Sequence, residues 1–84
     1  MKFFIVYWYD QERHRQNGSH LVYARNKKAA HTAVRNAFAP PGVTAMVPSY
    51  ADLLTPQLEE GFDITEAQKN LASQTGPTLL EYGT

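Results

Sequence analysis

The chain predicts an α+β fold: a small antiparallel sheet on a ββαβ core, followed by short acidic helices. Three observations carry that expectation. An unbroken run of aromatic and β-branched residues opens the chain, Phe3-Phe4-Ile5-Val6-Tyr7-Trp8-Tyr9, and such residues favour strands. An alanine-rich stretch with one apolar stripe, Lys27 to Phe38, follows a second β-favouring run. Prolines and glycines then cut the remainder into short pieces. With 84 residues, 43% of them hydrophobic, the chain suits a single domain over 1–84 and is too apolar for a disordered segment. The division within it is a basic core over 1–48 and an acidic helical segment over 49–84.

Lys2 to Asp10 reads as a strand, its odd positions facing one way and Phe4, Val6 and Trp8 the other. Both faces are apolar, which fits a central strand covered on both sides or an aromatic face shown to a partner. Gln11 to Ser19 is polar and holds Asn17-Gly18, a strong signal for a turn between two strands. His20 to Arg25 then forms the second strand of a hairpin. Asn26 suits an N-cap, because its side chain can accept from a free backbone N–H of the first turn. The helix from Lys27 to Phe38 places Ala30, Ala33, Val34, Ala37 and Phe38 on one stripe, with Lys28, His31, Thr32 and Arg35 opposite. Pro40-Pro41-Gly42 ends it.

Val43 to Val47 reads as a third strand, which Pro48 closes or places at an edge. Ser49 with Asp52 has the spacing of a capping box. Thr55-Pro56 sets a cap residue before a proline at the first helical position, and Gly61 can supply a C-terminal stop. Asp63 with Glu66 opens a further helix through about Gln74, with Ile64, Ala67 and Leu71 inward. Gly76-Pro77 ends that helix, and Thr78 to Tyr82 can add a last, short strand.

Eight basic and eight acidic residues give a formal charge of zero, but they are segregated. Through Tyr50 there are seven basic residues and two acidic ones; from Ala51 onward there are six acidic residues and one basic, Lys69. Two readings follow. Either the halves neutralise each other, or each presents its own field to a partner, which requires them to lie on different faces.

The absence of cysteine excludes a disulfide scaffold, thiolate metal sites and cysteine catalysis. No apolar stretch approaches the roughly 20 residues of a membrane span. Met1 to Tyr9 lacks the basic start and small-residue cleavage site of a secretion signal, so a cytoplasmic location is expected. His14, His20 and His31 show no paired spacing of a metal site. A metal-free nuclease with His14 or His31 as base and Arg15 or Lys28 on a phosphate is chemically conceivable, yet nothing in the spacing fixes those residues together. Glu59 and Glu60 are adjacent and diverge on a helix, unlike an acid–base pair. No glycine-rich phosphate loop or nucleophile elbow is present. The expectation is a non-enzymatic binding protein without cofactors or metals.

Two binding surfaces are candidates. Arg13 and Arg15 in the hairpin, with Lys27, Lys28, His31 and Arg35 around the helix, can contact phosphates, while Tyr7, Trp8 or Tyr9 can stack on bases. Alternatively, the acidic segment from Asp52 through Glu59 and Glu60 to Glu66 can offer carboxylates to a groove lined by arginine and lysine. A duller outcome is self-association through the edge of the Lys2–Tyr9 strand.

The junction Leu21-Val22-Tyr23-Ala24-Arg25-Asn26-Lys27-Lys28-Ala29-Ala30, after an aromatic first strand in a chain of this size, resembles the strand-to-helix junction of some small anti-CRISPR proteins of phages and mobile elements that act on type I systems. The resemblance implies a viral inhibitor that binds a CRISPR–Cas surface complex or a Cas nuclease in the host cytoplasm and blocks DNA binding or cleavage. It assigns no residue a role, and the balanced charge departs from the strongly acidic DNA mimics of that group.

Overall fold

The computed structural model describes residues 1–11, 14–38 and 46–80, and these cross one sheet four times. The elements in order are β1 (Lys2–Asp10), β2 (Arg15–Ala24), α1 (Lys27–Phe38), β3 (Met46–Leu53), α2 (Pro56–Phe62), α3 (Glu66–Thr75) and β4 (Thr78–Leu80). The strands form one antiparallel sheet in the order β3-β1-β2-β4. This is the α+β fold that the sequence predicts, and β3 joins the basic and acidic parts of the chain in one sheet.

Alternation along β1 builds two cores. Phe4, Val6 and Trp8 join Val22 and Ala24 of β2 under Ala30 and Val34 of α1. Ile5 and Tyr7 join Leu21 and Leu80 under Phe62 of α2 and Ala72 of α3. The sheet is therefore sandwiched, α1 on one face and α2 with α3 on the other. This is why the opening run is apolar on both sides. It also removes the self-association route, because β1 pairs with β2 along one edge and β3 along the other.

Two local signals were overruled by pairing across the sheet. Asn17-Gly18 does not make the turn. β2 begins at Arg15, and Asn17 and Gly18 stand opposite the single residue Trp8, between the pairs Tyr9–Gln16 and Tyr7–Ser19. They form a β-bulge, for which Gly18 supplies φ 94°. The chain reversal holds His14 at φ 53° instead. Ser49 and Asp52 cap no helix, since both lie in β3. Pro48 does not close that strand but lies within it, and β3 is the edge strand that the second reading of Pro48 expects, with a register shift between Tyr7 and Trp8 beside it. The expected strand start at Val43 lies outside the described residues.

The helix caps follow local chemistry more closely. Asn26 Oδ1 accepts from the Ala29 N–H at 2.8 Å. Thr55 Oγ1 accepts from the Leu58 N–H at 3.2 Å, with Pro56 in the first turn. Gly61 lies inside α2, and Asp63 at φ 52° ends the helix. α3 is opened by Thr65 rather than Asp63: the Gln68 N–H donates to Thr65 Oγ1 at 3.2 Å, and the Thr65 N–H donates to Gln68 Oε1 at 2.8 Å. Thr65→Ala removes half of that box and is expected to cost about 1 kcal/mol. In a domain of this size that lowers the thermal midpoint by about 4–8 °C, and an unchanged midpoint would contradict the cap. α3 buries Ala72 rather than Ala67 and Leu71. A small side chain at the contact lets the helix sit close on β2, and Leu71 is left 49% exposed.

Candidate functional site

Because α1 and the α2–α3 pair cover opposite faces, the segregated charge of the sequence becomes two separate layers. α1 contains no acidic residue, and Lys27, Lys28 and Arg35 are exposed on it, with Arg25 exposed just before it. Across the sheet, Glu60, Asp63 and Glu66 are exposed and Glu59 is half-buried, against the single cation Lys69. Packed layers are each roughly 10 Å thick, so the two helix layers lie roughly 20 Å apart. The screening length at physiological salt is about 8 Å. Each layer therefore presents its own sign to the solvent.

Where the signs do meet, they meet locally. Lys27 Nζ lies 3.8 Å from Asp52 Oδ1, both side chains well exposed. Asp52 thus belongs with the basic helix at the β3 edge and does not continue the acidic layer. Lys69 Nζ donates to Glu59 Oε1 and lies 3.6 Å from Glu66 Oε1. Its pKa is raised, first by the hydrogen bond to Glu59 and then by the charges of Glu59 and Glu66, against an opposing desolvation. The lysine ties α3 to α2 and fixes Glu59, leaving Glu60 and Asp63 outside that network.

The remaining candidates divide differently. Arg13 lies outside the described residues. Arg15 opens β2 opposite Asp10 in the register, and its side chain is outside the description. Tyr7 and Trp8 are 8% and 7% exposed, beneath the helix layers, so neither offers a platform for stacking bases. His14 is exposed in the turn with Nδ1 3.4 Å from the Tyr9 hydroxyl, His20 is buried in β2, and His31 is on α1. Among the described residues no group of three or more histidines and carboxylates is placed to hold a metal ion. No described helix is long and apolar enough to cross a membrane.

The acidic side carries apolar surface that residue-by-residue reading missed. Tyr50 of β3 stacks on Tyr7 at 4.6 Å between centroids and 23° between planes, yet stays 45% exposed. Tyr7 belongs to the core beneath α2 and α3, so Tyr50 lies on that side of the sheet. Leu71 is exposed on α3 of the same layer. A separate groove of about 470 Å³ is lined by Phe3, Leu53, Leu54 and Pro56, with Lys2, Glu59 and Lys69 on it. No large hydrophobic residue is exposed on α1 among the described side chains, which do not include that of Phe38. No family model, curated protein or solved structure matches the chain.

Proposed function

We propose that this chain is a non-enzymatic inhibitor that docks its α2–α3 layer on a basic groove of a nucleic-acid-handling protein complex. The observation that carries the reading is the composition of that layer. The exposed carboxylates of Glu60, Asp63 and Glu66 share one side of the sheet with exposed Tyr50 and Leu71. Protein interfaces combine charged complementarity with desolvated aromatic or aliphatic anchors, and Tyr is prominent among the residues that dominate binding energy. Carboxylates can also occupy arginine and lysine sites that otherwise hold phosphate. The target class rests on the resemblance of the junction Leu21 to Ala30 to small anti-CRISPR proteins acting on type I systems: a Cas surface complex whose DNA-binding groove the layer fills.

The test is target-DNA capture by a purified type I surface complex preincubated with the chain. The expected result is loss of capture at about one chain per binding groove, as a tight stoichiometric inhibitor requires. Capture that persists at a large molar excess of the chain overturns the assignment.

A further inference from the structure

We propose that the outer face of α1 is a second binding surface, independent of the acidic layer, which takes the phosphate backbone of a nucleic acid. The helix offers Lys28, Thr32, Arg35 and Asn36 on one exposed stripe, at the i, i+4, i+7 and i+8 positions of a single face. All four are donors of the kinds that contact phosphate oxygens. From Lys28 to Asn36 the stripe runs about 12 Å at the helical rise, between three and four base-pair steps of about 3.4 Å. Arg25 adds a further exposed cation at the N-terminal end. No carboxylate within α1 interrupts the field, and the nearest described acidic partner, Asp52, is engaged by Lys27.

The choice of occupant follows from what the face lacks. An acidic protein surface would satisfy the same charges, but a protein interface also needs apolar anchors at its centre. Among the described side chains, which do not include that of Phe38, the exposed large hydrophobics are Met1, Tyr50, Leu53, Leu71 and Leu79, none of them on α1. A phosphate backbone needs only well-placed cations and donors. With Tyr7 and Trp8 covered and Tyr50 on the α2–α3 side of the sheet, away from α1, contact is confined to the backbone and carries no base preference.

The measurement is fluorescence anisotropy of a labelled DNA duplex of about 30 base pairs, with the chain alone, from about 50 to 200 mM salt. Three cations predict a linear fall of log K with log salt at a slope near −2.7. Lys28→Ala with Arg35→Ala removes two of them, and the slope is expected to fall by about two units with at least a tenfold loss of affinity at the lowest salt. Both side chains are exposed, so the fold is kept, which far-ultraviolet circular dichroism verifies. Glu60→Gln with Asp63→Asn leaves the slope unchanged. Absence of binding at the lowest salt, an unchanged slope in the alanine pair, or displacement of the duplex by an equally charged polyglutamate each overturns the proposal. None of these outcomes bears on inhibition by the acidic layer, which is read on a different complex.

Discussion

Phe62→Ala is expected to destabilise the chain by about 3 kcal/mol or more, the usual range for truncating a buried phenylalanine. Phe62 is the buried residue of α2, 9% exposed, and packs obliquely on Tyr7 at 6.1 Å between ring centroids. It is the anchor that holds the acidic helix on the sheet. Domains are stable by roughly 0.05–0.15 kcal/mol per residue, which makes this loss a large share of the total. A urea titration would show a much lower midpoint. A loss below about 1 kcal/mol would mean that α2 is not docked as described.

Acidification produces the second large effect. His20 is 3% exposed, edge-on to Trp8 at 5.8 Å, and its cross-strand neighbours Val6 and Leu79 carry no charge. Burial alone pushes its pKa down from 6.5 to about 4. Between those values the unfolded chain binds a proton that the folded chain refuses. Stability is therefore full above about pH 6.5 and falls as the pH drops toward 4, by on the order of 3 kcal/mol in all. Urea midpoints measured across that interval should decline in the native chain and decline less in His20→Leu, whose residual slope belongs to the carboxylates. Parallel slopes in the two proteins would refute a buried neutral imidazole.

The parts of the fold that were legible in the sequence are those decided within a few residues or by one continuous pattern. The unbroken apolar run of β1 announced a strand with two apolar faces, and the stripe of Ala30 and Val34 with Asn26 before it announced α1. Thr55-Pro56 marked a helix start because its cap bond closes locally. The signals that misled were equally local but met a long-range competitor. Asn17-Gly18 is as suited to a bulge as to a turn, and only the register against Tyr7 and Tyr9 decides between them. Ser49 and Asp52 have capping-box spacing, yet Tyr50 to Leu53 complete the pairing of β1 on its second edge. Which side α3 buries depended on the closeness of its approach to β2, which no periodicity encodes.

The site was legible in outline only. The charge asymmetry is plain in the sequence, but its resolution onto opposite faces of one sheet required the topology. Asp52 left the acidic group because β3 is a strand that brings it to Lys27. Tyr50 and Leu71 had no sequence signal as surface residues; the first falls just after Ser49 of the expected capping box and the second reads as a buried position of α3.

The most direct test of the central claim is calorimetric titration of the purified type I surface complex with two charge-reversed forms of the chain. Glu60→Lys with Asp63→Lys reverses exposed positions on the acidic layer, and Lys28→Glu with Arg35→Glu reverses exposed positions on the basic one. The account predicts that the first pair weakens binding by at least about a hundredfold, the equivalent of roughly 2.7 kcal/mol, while the second leaves it unchanged. The opposite pattern, or no binding by the native chain, would contradict it.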